Sequence, residues 1–214
     1  VLITPAKLWF NWHLDGVDRI PAEGPLLVAG NHLSYLDPWA HGYFVTEAAR
    51  RPRFLAKQEL FENWFTAMVL RGAGQIPVTR GAGDARAIDE ATEALRGGEV
   101  VVVYPEGTSQ STPPDFAPGT GKTGVARLSI ATGTPILPVA TWGGQWVWRS
   151  SGRQSLKFGR PIWVVAGAAI APETTDAADV EAVRKLTGRV MDDLGILVRE
   201  LRERYPERWT PRVG

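Results

Sequence analysis

Residues 99–105 read EVVVVYP, four consecutive valines between a glutamate and a Tyr-Pro pair. β-Branched side chains favour extended backbone. No polar residue interrupts the run, so neither face is marked for water, and that is the pattern of a strand covered on both sides. Such strands belong to parallel sheets joined by helical crossovers. The flanks agree. Upstream, GDARAIDEATEALRGG (83–98) reads as a helix ended by Gly97-Gly98. Downstream, KTGVARLSIATG (122–133) reads as a helix and TPILPVATWG (134–143) as a further strand.

The same alternation extends in both directions. PLLVAG (25–30) is a short apolar strand, and Asp37-Pro38 starts a helix through WAHGYFVTEAAR, with aspartate as its cap. PRFLAK (52–57) reads as a strand, followed by a helix from about Glu59 to Leu70 and the short strand GQIPVTR (74–80). SLKFGRPIWV (155–164) supplies one or two more strands, and residues 178–205 form a long closing helix. Residues 1–14, VLITPAKLWFNWHL, carry apolar positions suited to a short amphipathic helix. The expected fold class is α/β: a single domain with a mostly parallel or mixed central sheet flanked by helices, behind that N-terminal amphipathic segment. The expected division is residues 1–15 for the segment and 16–214 for the domain.

Composition narrows the function classes. The 214 residues are 44% hydrophobic and 22% charged, as in a globular domain, and the net charge of +1 gives no bulk attraction to nucleic acid. With no cysteine, disulfides, thiolate zinc sites and cysteine nucleophiles are excluded. Three scattered histidines make a metal site unexpected. No G-x-S-x-G elbow occurs. No apolar run approaches the roughly 20 residues that span a bilayer. Nine tryptophans, among them Trp9, Trp39, Trp64 and Trp148, suit either core packing or a membrane interface. PGTGKT (118–123) ends like a phosphate-binding loop, but the required first glycine would be residue 116, which is Phe116.

Three polar groups lie at or beyond strand ends, where ligands gather in such sheets. NHLSYLDPW (31–39) sets His32 five residues before Asp37. Two readings fit that spacing. Asp37 caps a helix beside a turn histidine, or its carboxylate orients the imidazole so that the other nitrogen takes a proton. Ser34 lies inside the turn and reads as structural. YPEGTS (104–109) offers a carboxylate, a tight turn and a hydroxyl; GQIPVTRG (74–81) offers Arg80, a group able to fork a phosphate. Either segment also fits an ordinary loop.

Taken together, these blocks resemble the lysophosphatidic acid acyltransferase family, from about Val17 to Pro161. NHLSYLD is similar to its first block, N-H-x-S-x-x-D; AGQIPVTRG to its second; YPEGTS to its third, usually F-P-E-G-T-R-S; and PILPVA to its fourth. The resemblance implies acyl transfer from an acyl thioester, on coenzyme A or an acyl carrier protein, to a free hydroxyl of a lysophospholipid. His32 would be the base and Asp37 its orienting acid, with no covalent acyl-enzyme and no cofactor beyond the co-substrate. Arg80 would grip the acceptor phosphate, and Glu106, Gly107 and Thr108 of the third block would join in acceptor binding. Lys57 and Lys122 are further candidate cations for phosphate or donor. The implied place of work is the cytoplasmic face of the cell membrane, peripheral or monotopic, with residues 1–14 as the contact. The chain departs from the family at Ser109, where the third block usually has arginine. A hydroxyl does not replace a guanidinium on a phosphate dianion, so either Lys122 or another cation compensates, or the acceptor is a lysophospholipid whose phosphate carries a head group. Another polyol or glycolipid acceptor, and a non-catalytic lipid-binding relative, are the alternatives.

Overall fold

The computed structural model describes residues 4–79, 84–107, 116–148, 155–174 and 176–210. Its elements follow in the order α1 (Thr4–Trp9), β1 (Asn11–Asp15), β2 (Leu26–Gly30), α2 (Asp37–Glu47), β3 (Pro52–Lys57), α3 (Trp64–Gly72), β4 (Ile76–Val78), α4 (Ala85–Arg96), β5 (Val100–Val103), α5 (Gly124–Thr132), β6 (Ile136–Trp142), β7 (Pro161–Ala166) and α6 (Val180–Arg204). The strands form one seven-stranded sheet in the order β1-β7-β6-β2-β5-β3-β4. Every neighbouring pair is parallel except β6 and β7. The sheet is therefore mixed, with β1 and β7 running against the other five.

The valine strand is buried on both sides, as its sequence predicts. Val101 packs into a core with Ala91 and Leu95 of α4, Leu128 of α5 and Val190 of α6. Val100 and Val102 face the opposite core, with Ala40, Phe44 and Val45 of α2. Alternate side chains point to opposite faces of a strand, so four valines serve two cores. Each fully buried valine contributes about 1.5–3 kcal/mol of transfer free energy.

Local signals place the helix starts. Asn63 caps α3 by accepting from the N–H groups of Phe65 and Thr66, Asp84 caps α4 through Ala87, and Asp179 caps α6 through Glu181 and Ala182. The 59–70 expectation is shifted: Gln58–Phe61 is a 3-10 turn, and α3 begins only after its Asn63 cap.

The N-terminal expectation needs correction. The helix covers Thr4–Trp9, and Asn11–Asp15 is instead an edge strand paired in parallel with β7, Asn11 beside Pro161 and Asp15 beside Val165. Its alternating exposure fits an edge strand covered on one face. The pairing partner lies some 150 residues away, so no local periodicity reveals it.

Five strands (β2 to β6) end at the same sheet edge, because all run in one direction. That edge carries His32 after β2, Lys57 at the end of β3 and Tyr104–Glu106 after β5. Leu26 to Ala29 of β2 pair with Val100 to Val103 of β5. The two chains thus leave adjacent strands side by side.

Candidate active site

His32 sits where β2 turns toward α2, and three sets of contacts fix the turn. Asn31 clamps it to β6: its side-chain amide donates to the Thr141 carbonyl at 3.0 Å, and its oxygen accepts from the Thr141 N–H at 2.7 Å. Glu106 clamps it to the chain beyond β5, because the His32 N–H donates to Oε1 at 3.0 Å. Asp37 closes it from the helix side. Its Oδ2 accepts from the N–H groups of Leu33 and Ser34, the latter at 2.6 Å, and its Oδ1 accepts from Ser34 Oγ at 2.6 Å.

The same Oδ2 lies 3.2 Å from His32 Nδ1. A carboxylate only accepts, so Nδ1 carries the proton and Nε2 is left as the basic nitrogen. The Asp37 carboxylate is buried, while the His32 side chain keeps 10% of its surface exposed. The helix-cap expectation for Asp37 is corrected. Leu36 occupies the cap position, Asp37 begins the helix, and its carboxylate reaches back to the preceding turn rather than to the N–H groups of its own helix. Ser34 has the structural part read from its position.

Glu106 is almost fully buried, with Oε1 on His32 and Oε2 accepting from the Gly119 N–H at 3.3 Å. Burial raises its carboxyl above the ordinary range, and the two N–H donors partly oppose that shift. Gly119 belongs to the PGTGKT segment, whose backbone here serves Glu106. Gly107 takes φ +74°, a left-handed conformation that favours glycine. A Cβ there would stand 2.7 Å from Lys122 Nζ, so the lysine lies directly over the turn. His32, Asp37, Glu106, Gly107 and Lys122 are therefore gathered at one strand edge. Lys57 pairs with Val78 at the end of β3, and its exposed side chain makes no hydrogen bond or ion pair among the described residues. Arg80, Thr108 and Ser109 lie outside the described residues.

Two further site residues have no part in the sequence reading: Tyr104, at the head of the YPEGTS block, and His41, which lies in none of the blocks. Tyr104 stacks on His32, with ring centroids 4.4 Å apart and planes 22° from parallel. His41, one helical turn after Asp37, is fully buried, with Nδ1 3.2 Å from Tyr104 Oη and Nε2 3.1 Å from the Val139 carbonyl. The only advance signal for His41 is its i+4 spacing from Asp37, which puts both on one helix face.

Burial lowers the His41 pKa from the ordinary 6.5, against the raising influence of the Asp37 charge. The sign follows from linkage: below pH 6.5 the unfolded chain binds a proton that the folded chain does not, so stability drops as the pH is lowered through that window. Acidification from pH 7.5 to 5.5 should therefore lower the Tm of the wild type more than that of His41→Gln, whose amide still offers Val139 a donor. Parallel Tm curves for the two proteins in that range would refute the assignment.

The chain matches the family model described as Acyltransferase over residues 11–142. A 1-acyl-sn-glycerol-3-phosphate acyltransferase of Borreliella burgdorferi is 30% identical over 131 residues, covering 60% of this chain and 50% of that protein. A Bacillus subtilis protein of the same name is 27% identical over 143 residues, covering 67% of this chain and 66% of its own. The chain thus spans about half to two thirds of the length of these relatives. The crystal structure of the 1-acyl-sn-glycerophosphate (LPA) acyltransferase PlsC from Thermotoga maritima superposes with a TM-score of 0.73 at 25% identity, over 94% of this chain and 76% of that one. The family match runs from the edge strand β1 to the end of β6 and so takes in both halves of the His32 site: the chain belongs to the acyltransferase family.

Proposed function

We propose that this protein transfers an acyl chain from an acyl thioester to the free hydroxyl of a 1-acylglycerol 3-phosphate or a close lysophospholipid, with His32 as general base. The observation that carries the reading is the His32 Nδ1–Asp37 Oδ2 contact of 3.2 Å, made by an aspartate already locked by the turn's own N–H groups. In this scheme His32 Nε2 takes the hydroxyl proton as the oxygen attacks the thioester carbonyl. The tetrahedral intermediate collapses, the carbon–sulfur bond breaks, and the imidazolium returns the proton to the departing thiolate. Ester and free thiol result, and the base is regenerated. Asp37 holds the tautomer and stabilises the imidazolium.

For the acceptor phosphate we assign Arg80, Gly107 and Thr108, with Lys57 and Lys122 as further cations. Glu106 supports this loop through its grip on His32 and Gly119. The test is acyl transfer by the purified protein with a panel of lysolipids and with acyl-CoA or acyl carrier protein as donor, products identified by mass spectrometry. No acylated product from any lysolipid would sink the proposal. Ser109 favours a second reading in the same assay: an acceptor with a head group on its phosphate presents a monoanion and tolerates the missing arginine. A strong preference for plain lysophosphatidate would remove it.

The same reading sets the site's edge against a lipid surface. β1 and β7 run opposite to the other strands, so the residues preceding them emerge at the edge that carries His32. Leu8 is 78% exposed and Phe158 70%, and Trp9 meets Phe158 edge-on at 5.6 Å. Trp64, 75% exposed, and Phe65 follow the end of β3 at this edge as well. Aromatic side chains suit a boundary between apolar and aqueous phases. No helix among the described residues is long and apolar enough to cross a membrane. Deleting residues 1–9, which spares β1, should lower co-sedimentation with phospholipid vesicles several-fold while Tm stays within a few degrees. An unchanged bound fraction would count against this surface.

A further inference from the structure

The catalytic histidine's neighbours include a hydrogen-bonded pair, Tyr104 and His41, to which the reading of the blocks gives no part. Tyr104 directly follows β5, and its ring lies nearly flat on the His32 imidazole at 4.4 Å. Phe54 of β3 lies parallel to the same tyrosine ring, with centroids 6.4 Å apart. The tyrosine hydroxyl points the other way, toward buried His41 at 3.2 Å. A neutral imidazole has one N–H. On His41, Nε2 lies 3.1 Å from the Val139 carbonyl, and Nδ1 lies 3.0 Å from the Asp37 carbonyl as well as 3.2 Å from the tyrosine oxygen; the hydroxyl, able to donate or accept, pairs with Nδ1 in either tautomer. Burial holds the phenol protonated and the imidazole neutral.

The backbone is adapted to the pair. Gly30, the last residue of β2, lies so close that a Cβ there would stand 2.9 Å from His41 Cε1 and 3.1 Å from Tyr104 Cε1. A side chain at residue 30 would push both rings away. His41 is anchored in turn to β6 through Val139, and its helix begins at Asp37. His32 is therefore held in two directions. Asp37 fixes the ring's edge, and Tyr104, tied through His41 to β6, fixes its face.

We propose that Tyr104 is a positioning residue for His32: its ring is the platform that keeps the imidazole plane in register with Asp37, and His41 keeps that platform in place. Its position is the first of the third block, where phenylalanine is usual, so in this chain the platform carries an additional hydroxyl anchor. A reacting group must be held to within about half an ångström by side chains that are themselves locked. The inference rests on His32 acting as the base, but its test does not depend on turnover.

The experiment compares Tyr104→Leu, which removes the ring, with Tyr104→Phe, which keeps the ring and removes the anchor. The first measurement is the His32 Nδ1–H proton resonance; with three histidines in the chain, its assignment is direct. The signal should be sharp in the wild type, broader in Tyr104→Phe and lost to exchange in Tyr104→Leu. The second is kinetic: kcat should fall roughly tenfold or more in Tyr104→Leu, with KM within about twofold, and about threefold in Tyr104→Phe. A sharp Nδ1–H signal in a folded Tyr104→Leu protein overturns the proposal. So does a kcat in Tyr104→Leu equal to that of the wild type. If the wild type transfers no acyl group to any acceptor, the proposed function falls, while the resonance still decides whether Tyr104 orders His32.

Discussion

His32→Ala is expected to lower kcat for acyl transfer by about 10²–10⁴, the range contributed by a positioned general base. The variant should fold. The link from His32 to Glu106 runs through the backbone N–H, which alanine retains, and Asp37 keeps its bonds from Leu33 and Ser34. KM for the acceptor should change little, because the groups assigned to its phosphate lie on other segments. Steady-state kinetics on a variant with near-native Tm would read the loss as chemical. A kcat within about threefold of the wild type would end the general-base reading and leave His32 a turn residue.

Asp37 should show a double loss, since one carboxylate serves the turn and the imidazole. Its two oxygens take up four donors: the N–H groups of Leu33 and Ser34, Ser34 Oγ and His32 Nδ1. In Asp37→Asn the amide oxygen can occupy the Oδ2 position, and the new NH2 can donate to Ser34 Oγ after its hydroxyl turns. The fold should persist at a cost of about 1–3 kcal/mol. The neutral amide cannot stabilise an imidazolium, so kcat should fall by two orders of magnitude or more. In Asp37→Ala the buried N–H groups lose their acceptor. Its kcat should match the asparagine variant while its Tm falls several degrees further, at roughly 2–4 °C per kcal/mol for a domain of this size. Thermal denaturation and kcat measured on both variants separate the roles. Near-native turnover in Asp37→Asn would reduce Asp37 to a folding element.

Glu106 shows how far a motif can be read without its environment. Its place after the valine strand is legible, because β5 ends where Tyr104-Pro105 interrupts the apolar run. Its two partners are not. One N–H comes from His32, 74 residues earlier, and the other from Gly119, in a loop that its own sequence marks only as a failed phosphate site. The Asp37 side chain is a similar case. Asp-Pro before an apolar run marks a helix start correctly to within one residue, yet the carboxylate turns backward, because the Leu33 and Ser34 N–H groups are closer partners than the helix's own.

The N-terminus separates local from non-local information. Residues 4–9 form a helix and residues 11–15 a strand, although 1–14 carry one continuous amphipathic pattern. A short stretch with both periodicities is decided by what lies beside it, and here that is β7.

By itself the sequence determined the alternation of strands and helices, the two-sided burial of the central valines and the polar blocks at strand ends. These depend on side-chain period, β-branching and turn chemistry within a few residues. Only the tertiary structure decided the strand order, the reversed direction of β1 and β7, the clamp of Glu106 on the His32 turn and the Tyr104–His41 pair behind the imidazole. Each of these is a contact between residues far apart in the chain. Such contacts form only when the sheet has set its register, because a hydrogen bond or a stacked ring requires placement within a few tenths of an ångström.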